Sequence, residues 1–332
     1  MRAGCKTVAR PEAGWVPPTR DGVSASRVAV AAGLWATVAD FLQARMPLVT
    51  DWHARLLQGQ VLDATGQAIS PHSPAVPGAL LWYWRKPPPE ARLPFEVDVL
   101  HQDAQLVIAD KPHFMAVTPG GQHLHETVLV RLKQRLSIST LVPMHRLDRE
   151  TAGVMAFIVR PQDRNAYQGL LRQQQVHKVY EAVAPWRADV DLPQVYSSRL
   201  MSQDGENFMQ MLTLPGAPNA HTRIECLQRW AAPADGEAGA TRTLALYRLT
   251  PLTGRKHQLR VHLNALGLPI VGDRIYPRLW PHTLPGEPQD FAQPLQLLAR
   301  ELAFTDPISG QMRHYLSRRR LQCVPDRPGL TG

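Results

Sequence analysis

The segment His145-Arg146-Leu147-Asp148-Arg149-Glu150-Thr151-Ala152-Gly153 decides how this chain is classified, and the apolar run VMAFIV follows it directly. The segment is polar and dense in charge, whereas the run after it has the composition of a buried strand. Two arginines flank Asp148 in the sequence, and cations close to a carboxylate favour its ionised form. An ionised carboxylate can act as a nucleophile or a base. A surface turn whose charges pair with each other would give the same pattern, so both interpretations stay open.

A second segment, Lys178-Val179-Tyr180-Glu181-Ala182, has the alternation of a strand. Lys178, Tyr180 and Ala182 would then share one face of the sheet. A half-buried tyrosine there can stack on a base or exchange a proton. It can equally be an ordinary core residue.

A third segment, from Pro251 to His262, leads into a predicted helix. That helix is indicated by apolar spacing and a closing glycine, in Leu259, Leu263, Leu266 and Gly267. Helix N-termini and arginine side chains both favour anions such as phosphate, although a solvated basic helix start is the alternative. His257 and His262 are at i and i+5, which does not place them on one helix face, so no metal site is predicted.

The composition suits an intracellular protein that binds nucleic acid, although a chain that is merely basic is the alternative. The chain has 332 residues, a net charge of +9 and a pI of about 9.8, which suits a partner covered in phosphates. Charge alone does not distinguish DNA from RNA. No run of about 18 apolar residues or secretory signal is present, so we expect no membrane segment and a cytoplasmic location. The three cysteines, Cys5, Cys226 and Cys323, are far apart, so neither a zinc site nor a disulfide framework is expected.

The N-terminal third is predicted to be a separate unit. Residues 1–28 are interpreted as a flexible leader, 29–85 as a small module, and 86–95 (KPPPEARLPF) as a proline-rich linker. In the module, helical spacing from Val28 to Leu57 precedes a strand, a turn at Ala64–Gly66 and a second strand in LLWYWR. This order, with RLLQGQVLDATGQ at its centre, resembles an S4-type RNA-binding module. Its three Arg and three Asp between residues 31 and 85 balance, so a purely packing role is the alternative.

Residues 96–325 are predicted to form a larger domain. An apolar run ends at Asp110-Lys111-Pro112, and FMAVTPGG then indicates a second strand and a turn. Helical spacing returns at Val128, Leu129, Leu132 and Leu136. The segment APADGEAGA (232–240) separates two strand-like runs and is predicted to be an exposed hairpin loop.

Four segments together resemble the RluA-type family of pseudouridine synthases. HRLD followed by TAG is similar to the family's aspartate motif, and KVYEA to its Lys-x-Tyr-x-Ala motif. GRKHQLRVH with the downstream VGDRIYP is similar to a third motif, and DKPHFMAVTPG to the strand and turn that precede the active site. The resemblance covers roughly residues 96–310. Ala152, Lys256 and Leu298 depart from residues common in the family, and none of these departures touches the expected catalytic residues.

The resemblance implies an α+β fold in which helices flank a curved, largely antiparallel mixed sheet and the active site lies in a cleft across it. The alternation of strand-like and helical runs, taken alone, also allows a parallel α/β fold. By resemblance, Asp148 is the catalytic carboxylate and Arg260 its salt-bridge partner. Tyr180 would stack on the target uracil and Arg146 would enter the RNA stack. Lys178, Arg255, His257 and Gln258 are further predicted RNA contacts.

The reaction implied is isomerisation of uridine to pseudouridine in structured ribosomal or transfer RNA. It needs no cofactor, and a monomer is expected. A catalytically silent RNA-binding or ribosome-assembly factor is the first alternative. A hydrolase is the second, and it would need a second carboxylate beside Asp148, for which Glu150 and Glu181 are the candidates.

Overall fold

The computed structural model describes residues 15, 17–86, 90–121, 123–203, 209–233, 241–280 and 290–325. The chain divides into an N-terminal unit, Met1–Glu90, and a C-terminal unit, Ala91–Gly332. This division falls inside the segment 86–95 that was predicted as a linker. Leu93 and Phe95 already pack into the core of the C-terminal unit. Among the described residues, no helix is long and apolar enough to cross a membrane.

The N-terminal unit contains a small antiparallel sheet and two short helices. The strands are β1 (Ser26–Ala29), β2 (Val61–Leu62) and β3 (Leu80–Tyr83), in the order β1-β3-β2. The helices are α1 (Val38–Arg45) and α2 (Trp52–Leu57). Their buried apolar residues form one core with the strands: Val30, Val38, Phe41, Leu42, Trp52, Leu56, Val61 and Leu81.

The first helix begins ten residues later than the sequence predicted. Thr37 and Asp40 form a reciprocal capping box, which fixes the start of α1 at Val38. Val28, which was assigned to the helix and to the end of the leader, instead pairs with Leu81 in the sheet. The predicted leader therefore includes the bridge between Arg20 and Val23 and the first residues of β1, and residues 1–14 and 16 lie outside the described part of the chain. The predicted turn and the strand in LLWYWR are confirmed.

The C-terminal unit is built on one large mixed sheet. Its strands are β4 (Asp98–Gln102), β5 (Leu106–Lys111), β6 (Val142–Pro143), β7 (Ala152–Ile158), β8 (Val176–Pro185), β9 (Gln194–Ser202), β10 (Met211–Leu214), β11 (Ala220–Pro233), β12 (Thr241–Pro251), β13 (Leu297–Thr305) and β14 (Met312–Leu316). The helices are α3 (Val128–Leu136), α4 (Arg164–Arg172) and α5 (Gln258–Ala265). The main path is β10-β9-β11-β12-β8-β13-β7-β5-β4. The described strand pairs are antiparallel except β7 with β13, so the predicted α+β class is confirmed.

Strand β13 is inserted between β7 and β8, which follow each other in the sequence but are not neighbours in the sheet. It lies between β7 and β8, pairing parallel with the first and antiparallel with the second. The closest approach is at Gly153 of β7, whose φ is +116°. A Cβ atom there would lie 2.2 Å from the carbonyl oxygen of Ala299, so only glycine fits.

Most local predictions in this unit are confirmed. Helix α3 spans the predicted leucines, and α5 ends before Gly267, which has φ +72°. Strands β11 and β12 pair as the predicted hairpin, although residues 234–240 of its loop lie outside the described part. The predicted strand in FMAVTPGG is wrong. That segment is irregular because the Lys111 ammonium donates to the carbonyls of Pro112 and Met115 and folds the chain into a turn.

Candidate active site

All eight predicted site residues line a single cleft of the C-terminal unit. The cleft has a volume of about 1540 Å³. Its walls are the turn before β7, the middle of β8, the end of β12 and the start of α5. We call Asp148, Arg260 and Asp273 the floor of the site, and the cations Arg146, Lys178 and Arg255 its rim.

The floor is a chain of charges that ends in Asp148. Arg260 extends from α5 and is 1% exposed. Its Nε donates to Asp273 Oδ2 at 2.8 Å and its second terminal nitrogen to Asp273 Oδ1 at 2.6 Å. The remaining terminal nitrogen lies 3.4 Å from Asp148 Oδ2. The predicted salt bridge between Asp148 and Arg260 is therefore present in the geometry, although 112 residues separate the two in sequence.

Arg260 carries a fixed positive charge. Burial alone would lower its pKa, but the hydrogen bonds and charge of Asp273, with Asp148, raise that pKa above its usual value. Asp273 is itself held in place because its Oδ1 accepts from the backbone N–H groups of Ile275 and Tyr276. The guanidinium is thus immobilised before any substrate arrives.

The turn that carries Asp148 is held by hydrogen bonds from Lys111 and His113 to its backbone. The Lys111 ammonium donates to Arg149 O at 2.8 Å, in addition to its two contacts in its own loop. Burial lowers the pKa of Lys111 to about 7, against the opposing charges of Glu150 and Asp148. His113 Nδ1 donates to Glu150 O at 2.7 Å. Asp148 keeps 29% of its side chain exposed, so the carboxylate is both positioned and accessible.

Tyr180 lies in β8, opposite Ala299 of β13 and Leu249 of β12. Burial, and then the charge of Asp148, raise the pKa of its phenol. The phenol is therefore neutral at physiological pH and is poorly suited to act as a base. Of the alternatives that the sequence left open, packing against a base fits this environment better than proton abstraction.

His257 faces the carboxylate from the start of α5. Its backbone is left-handed, with φ +53°, and its side chain is buried. Nδ1 lies 3.1 Å from the Tyr276 hydroxyl, and Nε2 lies 3.9 Å from Asp148 Oδ2. Burial lowers the pKa of His257 to about 4, despite the attraction of Asp148. The ring is therefore neutral, and the contact with Asp148 is not an ion pair.

The hydrogen bonds of Gln258 argue against its predicted role as an RNA contact, although the residue lines the cleft. It is buried, and its Oε1 accepts from the Thr253 hydroxyl and the Arg255 backbone N–H. Its Nε2 donates to His221 O and to the Thr222 hydroxyl. A side-chain amide with this many partners has little capacity left for RNA. Through these hydrogen bonds, Gln258 stabilises the turn that leads into α5.

The rim cations differ from Arg260 in having few protein partners. Arg146 is exposed and has no hydrogen bond or ion pair with a described residue. Lys178 is half-buried, and burial lowers its pKa. Arg255 is exposed and donates from Nε to Asn219 O at 3.2 Å. These three side chains give the cleft a positive entrance suited to phosphates.

The sequence did not assign roles to Asp273 and Tyr276, although the Gly-Asp…Tyr segment was noted. Gly272 has φ +75°, and a Cβ atom there would lie 2.4 Å from Pro294 O. Glycine at this position lets the chain turn so that Asp273 reaches Arg260. The segment GDRIYP was the available signal, but it does not show that Asp273 contacts Arg260, 13 residues earlier in the sequence.

Within the part of the chain that the structure describes, neither metal chemistry nor the hydrolase alternative finds the residues that it requires. His262, considered with His257 for metal binding, is buried and bonds Ser198 and Thr222. Among the described residues, no group of three or more His, Cys, Asp or Glu could hold a metal ion. For the hydrolase, Glu150 pairs with Arg149 and Glu181 with Arg300, and neither glutamate lines the cleft.

Known proteins resemble this chain in sequence. A profile described as RNA pseudouridylate synthase matches residues 105–265. An uncharacterized RNA pseudouridine synthase of Synechocystis is 31% identical over 226 residues, covering 68% of this chain and 73% of the relative. The dual-specificity RNA pseudouridine synthase RluA of Haemophilus influenzae is 32% identical over 217 residues, covering 65% of this chain and 90% of the relative.

A solved structure, human RNA pseudouridylate synthase domain containing 1, shares the fold. The match covers 70% of this chain and 84% of the human one, with a TM-score of 0.51 and 20% identity. At 20% identity this structure supports the fold alone, whereas the sequence relatives also support the family and the reaction. The chain belongs to the RNA pseudouridine synthase family, in its RluA-type group, and is an isomerase that converts uridine to pseudouridine in RNA.

Proposed function

We propose that Asp148 is the catalytic carboxylate of this enzyme and that the substrate is structured ribosomal or transfer RNA. The observation that carries the first part is the 3.4 Å contact between Asp148 Oδ2 and the buried guanidinium of Arg260. A carboxylate that the protein holds in place and that is accessible from the cleft is suited to attack or to deprotonate a bound nucleoside. No other carboxylate among the described residues lines this cleft.

The isomerisation balances without a co-reactant. The N1–C1′ bond of uridine breaks, the uracil turns, and a C5–C1′ bond forms. The hydrogen lost from C5 is matched by one gained at N1, so no net oxidation occurs. Asp148 assists the cleavage, either by attacking the sugar or by supporting elimination to a glycal.

The target base has to leave the RNA stack before it can turn. Arg146 is exposed and unpaired among the described residues, so its guanidinium plane is free to fill the gap. Tyr180 offers a neutral ring beside Asp148 that can receive the base. We therefore assign Arg146 to flipping and Tyr180 to positioning of the uracil.

The rim supports binding to the RNA backbone. Lys178 and Arg255 are two positive charges in a chain whose net charge is +9. Contacts between such side chains and phosphates fix the position of the RNA on the protein and do not read its base sequence. The name of the Haemophilus relative, a dual-specificity RNA pseudouridine synthase, supports an RNA substrate. An S4-like RNA-binding role for the N-terminal unit, a monomeric state and a cytoplasmic location stay predictions.

The test is Asp148→Asn, which keeps the size of the side chain and removes its charge. We expect pseudouridine formation to fall by on the order of 10⁴-fold, with RNA affinity and thermal stability nearly unchanged. Asp98→Asn is the control, since Asp98 is an exposed carboxylate that pairs with Arg319.

Pseudouridine mapping of total RNA, from cells with and without the gene, identifies the substrate. Sites that return with the wild-type gene but not with Asp148→Asn support the proposal. Full turnover by Asp148→Asn would show that the catalytic group is another residue.

A further inference from the structure

The two oxygens of the Asp148 carboxylate have different surroundings. Arg260 lies 3.4 Å from Oδ2, and His257 Nε2 lies 3.9 Å from the same oxygen. Among the described residues, none donates a hydrogen bond to Oδ1. One oxygen is therefore engaged by the protein, and the other is left for the substrate.

The hydroxyl of Tyr276 determines which nitrogen of His257 carries the proton. This hydroxyl accepts from the Met211 backbone N–H at 2.7 Å, so its own proton needs a different acceptor. His257 Nδ1, at 3.1 Å, is in place to accept it. A neutral ring that accepts at Nδ1 carries its proton on Nε2, and Nε2 is the nitrogen that faces Asp148.

The surroundings keep this arrangement fixed. Burial favours the neutral ring of His257, Arg260 and Lys256 disfavour a second proton, and Asp148 and Asp273 only partly offset these effects. The Tyr276 ring is 5% exposed and packs in a core cluster with Val261 of α5. The hydroxyl therefore cannot easily turn away from the imidazole.

We propose that His257, oriented by Tyr276, is a positioning residue that donates Nε2–H to Asp148 Oδ2, which leaves Oδ1 as the oxygen that reacts with the nucleoside. The proposal rests on the catalytic role proposed for Asp148. At 3.9 Å the two atoms are beyond hydrogen-bond length, so the proposal includes a shortening of this contact in the substrate complex, where catalytic hydrogen bonds often tighten.

Two substitutions separate this role from packing. In His257→Gln, the amide nitrogen replaces Nε2 and can still reach Asp148. In His257→Asn, the side chain reaches only the position of Nδ1, while asparagine tolerates the left-handed backbone. We expect single-turnover rates at saturating RNA to fall about 10- to 100-fold in His257→Asn and less than about fivefold in His257→Gln. RNA dissociation constants should stay within about twofold of wild type in both.

The tautomer can be observed directly in the wild-type protein. In ¹⁵N NMR of histidine-labelled protein, the His257 signals are assigned by their loss in His257→Gln. We expect a protonated Nε2 and an unprotonated Nδ1, and Tyr276→Phe should shift this balance. A ring protonated at Nδ1 in the wild type would overturn the proposal, independently of the kinetics of the variants.

The kinetic outcomes are equally decisive. Equal losses in the Gln and Asn variants would make His257 a packing residue, and weakened binding at an unchanged rate would make it an RNA contact. Asp148→Asn is measured in parallel. If it is inactive while His257→Asn is fully active, only this inference fails; if it is active, the function proposed for Asp148 fails first.

Discussion

Arg260 on the floor of the cleft and Arg146 on its rim show two different uses of the same side chain. Arg260 is 1% exposed and makes two hydrogen bonds to Asp273. Arg146 is exposed and, within the described chain, makes no hydrogen bond or ion pair. A fixed cation stabilises charge without reorganising, whereas an unpaired cation is free to rearrange with RNA. On the roles proposed for them, the firmly held Arg260 serves catalysis and the unpaired Arg146 serves RNA recognition.

Breaking the floor should have the largest effect. In Asp273→Asn, the guanidinium of Arg260 loses a buried partner of opposite charge, so we expect the free energy of unfolding to fall by about 3–5 kcal/mol. Activity should fall on the order of 100-fold in single-turnover assays, because Arg260 no longer holds Asp148. Urea denaturation measures the first effect.

The control for Asp273 is a pair of the same type on the surface. Asp189 accepts two hydrogen bonds from Arg187, and both side chains are exposed to solvent. Asp189→Asn should change neither stability nor activity measurably. Equal losses in the two variants would mean that burial is not what makes the Asp273 pair important.

Removing the rim arginine should affect turnover without affecting stability. In Arg146→Ala, nothing fills the gap left by the flipped base, so we expect kcat/KM to fall about 10- to 100-fold. The midpoint of thermal unfolding should not change, because Arg146 has no described partner to lose. A stability loss as large as that of Asp273→Asn would remove the distinction between floor and rim.

The smallest effect is expected at Arg255. Arg255→Ala should weaken RNA binding a few-fold and reduce the salt slope by about 0.7–0.9, measured by filter binding across a range of salt concentrations. Gln258→Ala is the matched comparison in the same turn. It should leave the slope unchanged and cost about 1–3 kcal/mol of stability, because buried donors and acceptors lose their partner.

The sequence predicted the elements whose signals are local. Helices α3 and α5 follow from leucine spacing, β8 from the alternation in KVYEA, and β7 from the continuous apolar run VMAFIV. Strand β1 was missed because its partner β3 lies some fifty residues further along the chain, and four residues carry too little periodicity to distinguish it from a helix. The turn after Lys111 was missed because one buried ammonium, rather than a sequence pattern, shapes it.

The site was predicted residue by residue but not as a set of contacts. Motif resemblance placed Asp148, Tyr180 and Arg260 in one cleft, and the structure brings them together. The motif contains both the exposed Arg255 and the buried Gln258. Resemblance to the motif does not distinguish the two. It also could not show that Asp273 holds Arg260, because that pairing depends on the turn at Gly272.

The position of β13 has a consequence for the synthesis of this protein on the ribosome. Asp148 precedes β7 and Arg260 follows β12, and β13 is the strand that joins their halves of the sheet. Both residues leave the ribosomal exit tunnel well before Leu297–Thr305 does. A nascent chain that already contains Asp148, Tyr180 and Arg260, the proposed catalytic residues, is therefore expected to stay inactive until β13 has been inserted into the sheet.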